Sequence, residues 1–225
     1  IAIGGQAGQN TQGTTAVAIG YLAGFNAQGQ SSLAIGPQSG QSSQRPNAVA
    51  IGNSAGQLTQ GSASIAIGYF AGQGSQNTDA VAVGTSAGQT GQGTSSIAIG
   101  YLAGNITQGQ NAVAIGYLAG RISQGESAVA IGPVAATGTQ SRFAVAIGYL
   151  AGQATQGISA IAIGNSAGRT FQGNSAVAIG SSAGEGTQSI NAVAVGVLAG
   201  NIEQGINAVA VGINAGRIIQ GANAV

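Results

Sequence analysis

Ala112-Val113-Ala114-Ile115-Gly116 is the phrase on which the reading of this chain turns, because it returns with little change every sixteen residues from one end to the other. Its glycine falls at 4, 20, 36, 52, 68, 84, 100, 116, 132, 148, 164, 180, 196 and 212, with no insertion or deletion. A period this short and strict overrides the usual partition of 225 residues into globular domains and predicts one uninterrupted repeat array over residues 1–225. The chain opens in mid-phrase on Ile1 and contains no Met, so it reads as a fragment of a longer repetitive chain.

The repeat is conveniently divided into slots 1 to 16, with Ala112 at slot 1 and the constant glycine at slot 5. Slots 2 and 4 are always aliphatic, slot 1 is Ala or Ser, and slot 3 is Ala alone. Alternating size in β-branched-rich sequence is a strand period, and sixteen is no multiple of the helical 3.6. The constant glycine marks a corner that requires either positive φ or room that a Cβ would fill. Tyr117-Leu118-Ala119-Gly120 is then expected as a second short strand, closed by a glycine that only Ala136 replaces. Slots 10 to 12 vary, slot 13 is always Gln, slot 14 is usually Gly, and slot 16 is often Asn or Ser, as turns prefer. Pro37, Pro46 and Pro133 fall at corners or loops, where a missing donor is tolerated.

A unit this small cannot bury a hydrophobic face alone, so successive units must stack and share one core. The expected fold is all-β: a parallel β-solenoid, or β-roll, of about fourteen coils of sixteen residues. The aliphatics of slots 2 and 4, with Ala at slot 8, are expected to form its internal columns. Strand alternation then turns slots 1 and 3 outward. An outward slot should drift, yet Ala18, Ala34, Ala50, Ala66, Ala82, Ala98, Ala114, Ala130, Ala146, Ala162, Ala178, Ala194 and Ala210 do not. They are therefore the candidate inter-chain face, a strip on which only a methyl group fits. The competing reading is a tight roll in which these alanines help to fill the interior.

Gln12, Gln28, Gln44, Gln60, Gln76, Gln92, Gln108, Gln124, Gln140, Gln156, Gln172, Gln188, Gln204 and Gln220 form the other constant column. An amide repeated at the strand spacing can donate to one neighbouring coil and accept from the other, which predicts a structural glutamine ladder rather than a carbohydrate-binding row.

Composition excludes much chemistry. Charged residues are 4% and the net charge is +1, so no basic surface exists for nucleic acid. There is no Cys and no His, and the four acids are scattered, so no catalytic residue, cofactor or metal site is predicted and the chain is not expected to be an enzyme. A calcium-binding solenoid repeat would need an Asp in every turn, whereas only Asp79 is present, and slot 12 mixes too many residue types for the threonine rows of an ice-binding surface. The apolar or glycine runs, such as Ala112 to Gly120 and the slightly longer Ala16 to Phe25, are far below the ~20 residues of a membrane helix, so no membrane span is expected in this segment. All nine charges fall in slots 10 to 16, which must see water, and Arg169 and Glu185 share a slot in adjacent coils, where an axial ion pair is expected. Tyr21, Tyr69, Tyr101, Tyr117 and Tyr149 share slot 6 and are candidates for sugar stacking or partner contact, with simple packing between neighbouring coils or chains as the favoured competing reading.

Asn111-Ala112-Val113-Ala114-Ile115-Gly116, followed by small residues and Ala119, resembles the head repeat of the YadA-like trimeric autotransporter adhesins and related bacterial and viral surface fibres. That resemblance implies a left-handed parallel β-roll, side-by-side packing of chains, and an extracellular or cell-surface role in binding host matrix or other cells. The longer coil and the invariant Gln depart from that motif. Gln172-Gly173-Asn174 and the perfect stacking also look somewhat like repeats of curli-type functional amyloid, which implies end-to-end polymerisation through uncapped coils. The expected function is a structural, self-associating extracellular fibre or surface-adhesion rod whose partners are copies of itself and, beyond them, matrix, cell surface or glycans. An amyloid-like filament and a glycan-binding surface module are the alternatives.

Overall fold

The computed structural model describes all residues, Ile1–Val225, and contains strands and turns but no helix. It is an all-β parallel β-solenoid of about fourteen turns of about sixteen residues. The residues fall into two compact units, Ile1–Ala112 and Val113–Val225. In the first unit, one sheet runs from Ala2–Ile3 to Ile97–Ile99 and a second from Ser43–Gln44 to Thr107–Gln108, with Gln12, Gln28 and Gln44 joined by further parallel bridges. In the second unit the corresponding sheets run from Val113–Ile115 to Val209–Val211 and from Ser123–Gln124 to Ile219–Gln220. Pairing is parallel and in register at sixteen residues, as in Ala146 opposite Ala162 and Gln156 opposite Gln172. From the third coil onward, each coil therefore contributes a three-residue strand at slots 2 to 4 and a two-residue strand at slots 12 and 13.

The segment expected as a second strand, Tyr117 to Gly120, is instead a turn. Ala119 N donates to Gly116 O at 3.3 Å, and Leu118 sits at φ 58°. Slots 14 to 1 close in the same way, with Ala144 N donating to Ser141 O at 3.3 Å and Phe143 at φ 62°. A left-handed third residue in a four-residue turn is the mark of the type II family. Asn, Asp and Ser at slot 16 suit that conformation, but Leu at slot 7 does not announce it.

The prolines confirm the turn type. Pro37 and Pro133 are the second residues of slot 5 to 8 turns and Pro46 is the second residue of a slot 14 to 1 turn, the position where a fixed φ is pre-set for types I and II. Slots 6 and 15 donate no backbone–backbone hydrogen bond in any coil, so nothing is lost there to a proline ring. Ser181→Pro, which copies the Gly132-Pro133 corner, is expected to raise stability by about 0.4–1 kcal/mol by restricting the unfolded chain, measurable as a rise in the denaturant midpoint.

Both reasons for a constant slot 5 glycine hold at once. Gly164 has φ +129°, and a Cβ on it would lie 2.6 Å from Gly180 O in the next coil. Slot 14 is tight in a milder way. Where it is Gly, as at Gly125 and Gly157, its N lies 2.7–2.8 Å from the carbonyl oxygen of the next coil's glutamine; at Arg45, Asn77, Ser141 and Ser189 the same bond is 2.9–3.1 Å. A side chain there is accommodated by opening the local coil spacing.

Candidate functional site

The interior of each coil is made of small side chains and one amide. Ala146, Ala162, Ala178 and Ala194 of slot 3 pack against Ala151, Ala167, Ala183 and Ala199 of slot 8 in one buried cluster. The expectation for slot 3 is thereby corrected. Ala18, Ala34, Ala50, Ala66, Ala82, Ala98, Ala114, Ala130, Ala146, Ala162, Ala178 and Ala194 are fully buried and Ala210 is 2% exposed within a single chain, so they line its interior and are not an inter-chain face. Slot 1 is buried too. The reason is the thinness of the roll: a Cβ on Gly168 would already lie 2.9 Å from Gln172 Cδ and 3.2 Å from Ala162 Cβ. Two sheets this close leave space for methyl groups and a glutamine, and none for isoleucine. Where serine replaces alanine inside, it satisfies itself locally: Ser64 Oγ donates to Gly61 O at 2.7 Å and Ser39 Oγ to Gly36 O at 2.8 Å.

The glutamine column spans that interior. In every coil the slot 13 Nε2 donates to the slot 2 carbonyl of its own coil at 2.6–2.8 Å. This transverse bond ties the second sheet to the first and is the part of the column that the ladder expectation did not contain. A longer contact, as from Gln156 Nε2 to Ala160 O at 3.4 Å, reaches the next coil. The axial ladder exists as well. From Gln140 to Gln220 each Nε2 donates to the following Oε1 at 3.0–3.1 Å. In the first unit the axial bonds join glutamines in pairs, Gln12 to Gln28, Gln44 to Gln60 and Gln76 to Gln92.

One residue marks a fault in the second unit's column. Ala136 is the single non-glycine at slot 9, held at φ 46°, and Gln140 Oε1 beside it is buried without a hydrogen-bond partner. In the first unit Gln44 Oε1 and Gln76 Oε1 are also unpaired, above Gly40 and Gly72, so a methyl is not the only route to such a fault. Ala136→Gly removes an L residue from the left-handed region and frees space for the amide. It is expected to stabilise by about 1 kcal/mol, read from the guanidinium midpoint and from slower amide exchange in residues 129–144.

With the small residues inside, the large aliphatics of slots 2 and 4 lie on the outer face of the first sheet. Most are partly exposed, and Ile67, Ile99 and Ile179 reach 36–38%. They form two parallel apolar columns in each unit. The slot 6 tyrosines flank these columns at 48–57% exposure. No charged residue lies in slots 1 to 9, so this whole face is uncharged.

The remaining slots, 10 to 16, carry all the charged residues and the amide ladders, mixed with exposed aliphatics such as Ile122 and Ile202. Slot 10, expected to vary freely, holds a second amide ladder in the first unit: Gln57, Gln73, Gln89 and Asn105 each donate to the amide oxygen one coil back at 2.9–3.1 Å. The repeated amide at one slot was the available signal. In the second unit the same slot contains the expected ion pair, Arg169 Nη1 to Glu185 Oε1 at 3.4 Å, extended by Arg169 Nε to Gln153 Oε1 and by Asn201 Nδ2 to Glu185 Oε2. At this exposure the pair is worth about 0–1 kcal/mol. The acids do not converge: no three of them meet in a metal-binding group.

No protein-family model, curated protein or solved structure matches the chain. Its function is therefore read from its faces: an interior held by methyl groups and amides, an uncharged aliphatic face with a tyrosine border, and a mixed face on which amide and charged columns alternate with exposed aliphatics such as Ile106, Ile122, Ile202 and Ile206.

Proposed function

We propose that this chain is a structural rod element that associates side by side with copies of itself, as part of an extracellular fibre or surface-adhesion rod. The observation that carries the proposal is the outer face of the first sheet, where two aliphatic side chains per coil stand partly exposed in unbroken columns. Monomeric proteins rarely leave a contiguous apolar patch of more than a few hundred Å² in water. Seven coils per unit, each with two such side chains, extend this apolar face along the whole unit, the kind of continuous surface that contributes to a standard interface of ~800 Å² per partner. A partner that fills the gaps between successive coils must share their axial repeat of ~4.8 Å, and a second copy of this chain does. The absence of charge on the face removes repulsion between copies. The likeness of the repeat to the YadA-like head repeat agrees with this reading.

Ile131→Thr, Ile147→Thr and Ile163→Thr together keep β-branched residues in the strand but reduce the apolar surface. The triple variant is expected to fall from oligomer or fibre to single chains in light scattering, with an unchanged far-UV spectrum. An unaltered chain that remains a monomer at high concentration and shows no lateral assembly in electron micrographs overturns the proposal. A second reading, end-to-end growth, draws support from the identical hydrogen-bonding ladder of successive coils. It predicts filaments one coil-stack wide that the triple variant still forms.

A further inference from the structure

In an array this regular, departures from the repeat that meet in space are informative, and one such group surrounds a recess of about 280 Å³ on the mixed face of the second unit. Its wall is Phe171, the one aromatic residue at slot 12, 45% exposed between Thr155 and Thr187 of the adjacent coils. Ile190, the glycines Gly157 and Gly173, and Gln172 also line the recess. Asn174, the one Asn at slot 15, is held in place because its Oδ1 accepts a hydrogen bond from Ile158 N at 2.9 Å. A Cβ on Gly157 would lie 2.8 Å from that oxygen, so the missing side chain makes room for the amide. This leaves Asn174 Nδ2 and Thr155 Oγ1 with no hydrogen bond inside the chain, at the edge of an aromatic surface.

We propose that this recess binds the terminal neutral pyranose of a glycan, with the ring's C–H face on Phe171 and its hydroxyls on Thr155 Oγ1 and Asn174. No ionisable side chain lines the recess, so it offers nothing to a charged ligand. An apolar wall bordered by uncharged donors and acceptors matches a ligand that is apolar on one face and hydroxylated at its edge. The volume lies just below the usual range of ligand sites, which limits occupancy to a single ring. The site is separate from the slot 6 tyrosines and does not depend on assembly.

The test is saturation-transfer difference NMR on the whole chain, which works for single chains and fibres alike, with a panel of methyl pyranosides of glucose, galactose, mannose and N-acetylglucosamine. Cyclohexanol serves as an apolar ring without the hydroxyl pattern. At least one pyranoside is expected to receive saturation on one C–H face, with saturable binding. Phe171→Thr restores the residue found at slot 12 in the neighbouring coils, so the fold is retained; it should weaken binding by about tenfold or more. Tyr149→Ser should leave binding unchanged. The proposal is overturned if no pyranoside binds, if cyclohexanol alone binds, or if Phe171→Thr binds as tightly as the unaltered chain.

Discussion

Gln156→Glu is expected to lower stability at pH 7 by about 4 kcal/mol and to recover about half of that loss as the pH falls to ~3. Gln156 is fully buried; it donates to Val145 O at 2.7 Å and to Gln172 Oε1 at 3.1 Å, and accepts from Gln140 Nε2 at 3.1 Å. An ionised carboxylate cannot donate, so it deprives Val145 O and Gln172 Oε1 of their amide donor and faces both oxygens with its own charge. A protonated carboxyl can donate once, to Val145 O. Burial thus raises the folded-state pKa of the introduced acid above its unfolded value of ~4.3. The stability that this group retains is present below that unfolded value and is lost as the pH rises through the folded one. Gln156→Leu, of similar size but with no donor, should cost about 2–3 kcal/mol at every pH. Guanidinium unfolding at pH 3, 5 and 7 separates the two variants, and a pH-independent Gln156→Glu would show that the amide's donor function does not hold the sheets together.

Gly164→Ala should be more damaging than its one added methyl group suggests, costing about 3–5 kcal/mol. Two penalties combine there: φ +129°, which L residues rarely adopt, and a Cβ 2.6 Å from Gly180 O in the next coil. The neighbour that must yield is backbone, and yielding means spreading two coils. Gly168→Ala, four residues on, is the control. Its φ is +52°, and the atoms it would meet are side-chain atoms, the Gln172 amide at 2.9 Å and Ala162 Cβ at 3.2 Å, rather than backbone, so it should cost only about 1 kcal/mol, as the natural Ala136 indicates. Stability is passed between neighbouring repeats in such arrays, so the Gly164 variant should show accelerated amide exchange concentrated in residues 145–196 rather than uniform loosening. Equal effects at Gly164 and Gly168 would refute the crowding argument.

The period, the parallel register and the slot 5 corner were all legible in the sequence, because each depends on backbone geometry that repeats with the glycine. Which face was interior was not. Val145 and Ile147 carry more apolar surface than Ala146, and the ordinary association of size with burial puts them inside. The structure reverses this because the spacing between sheets is set by Gln156 reaching Val145 O, a distance too short for large side chains on both walls. The signal that distinguishes the two arrangements is constancy. Slot 3 never departs from Ala and slot 13 never from Gln, as a close-fitting interior requires, whereas slot 2 admits Leu33 and slot 4 exchanges Ile for Val at Val83 and Val195. The turn at slots 6 to 9 was illegible for a different reason: leucine at slot 7, as in Leu150, has no preference for the left-handed region that it occupies at φ 58°. The recess at Phe171 could be seen only once Asn174 and Ile190, three and nineteen residues further on, were brought beside it by the coil geometry.

The unvarying sixteen-residue register has a genetic consequence. Excising residues 145–160 would join Ala144 to Ile161, recreating the Ala160-Ile161 junction and setting carbonyls that already match against the coil that follows. A deletion of fifteen or seventeen residues would put every downstream alanine out of line. Recombination between its near-identical segments can therefore lengthen or shorten such a gene in whole coils, with every product inheriting compatible surfaces.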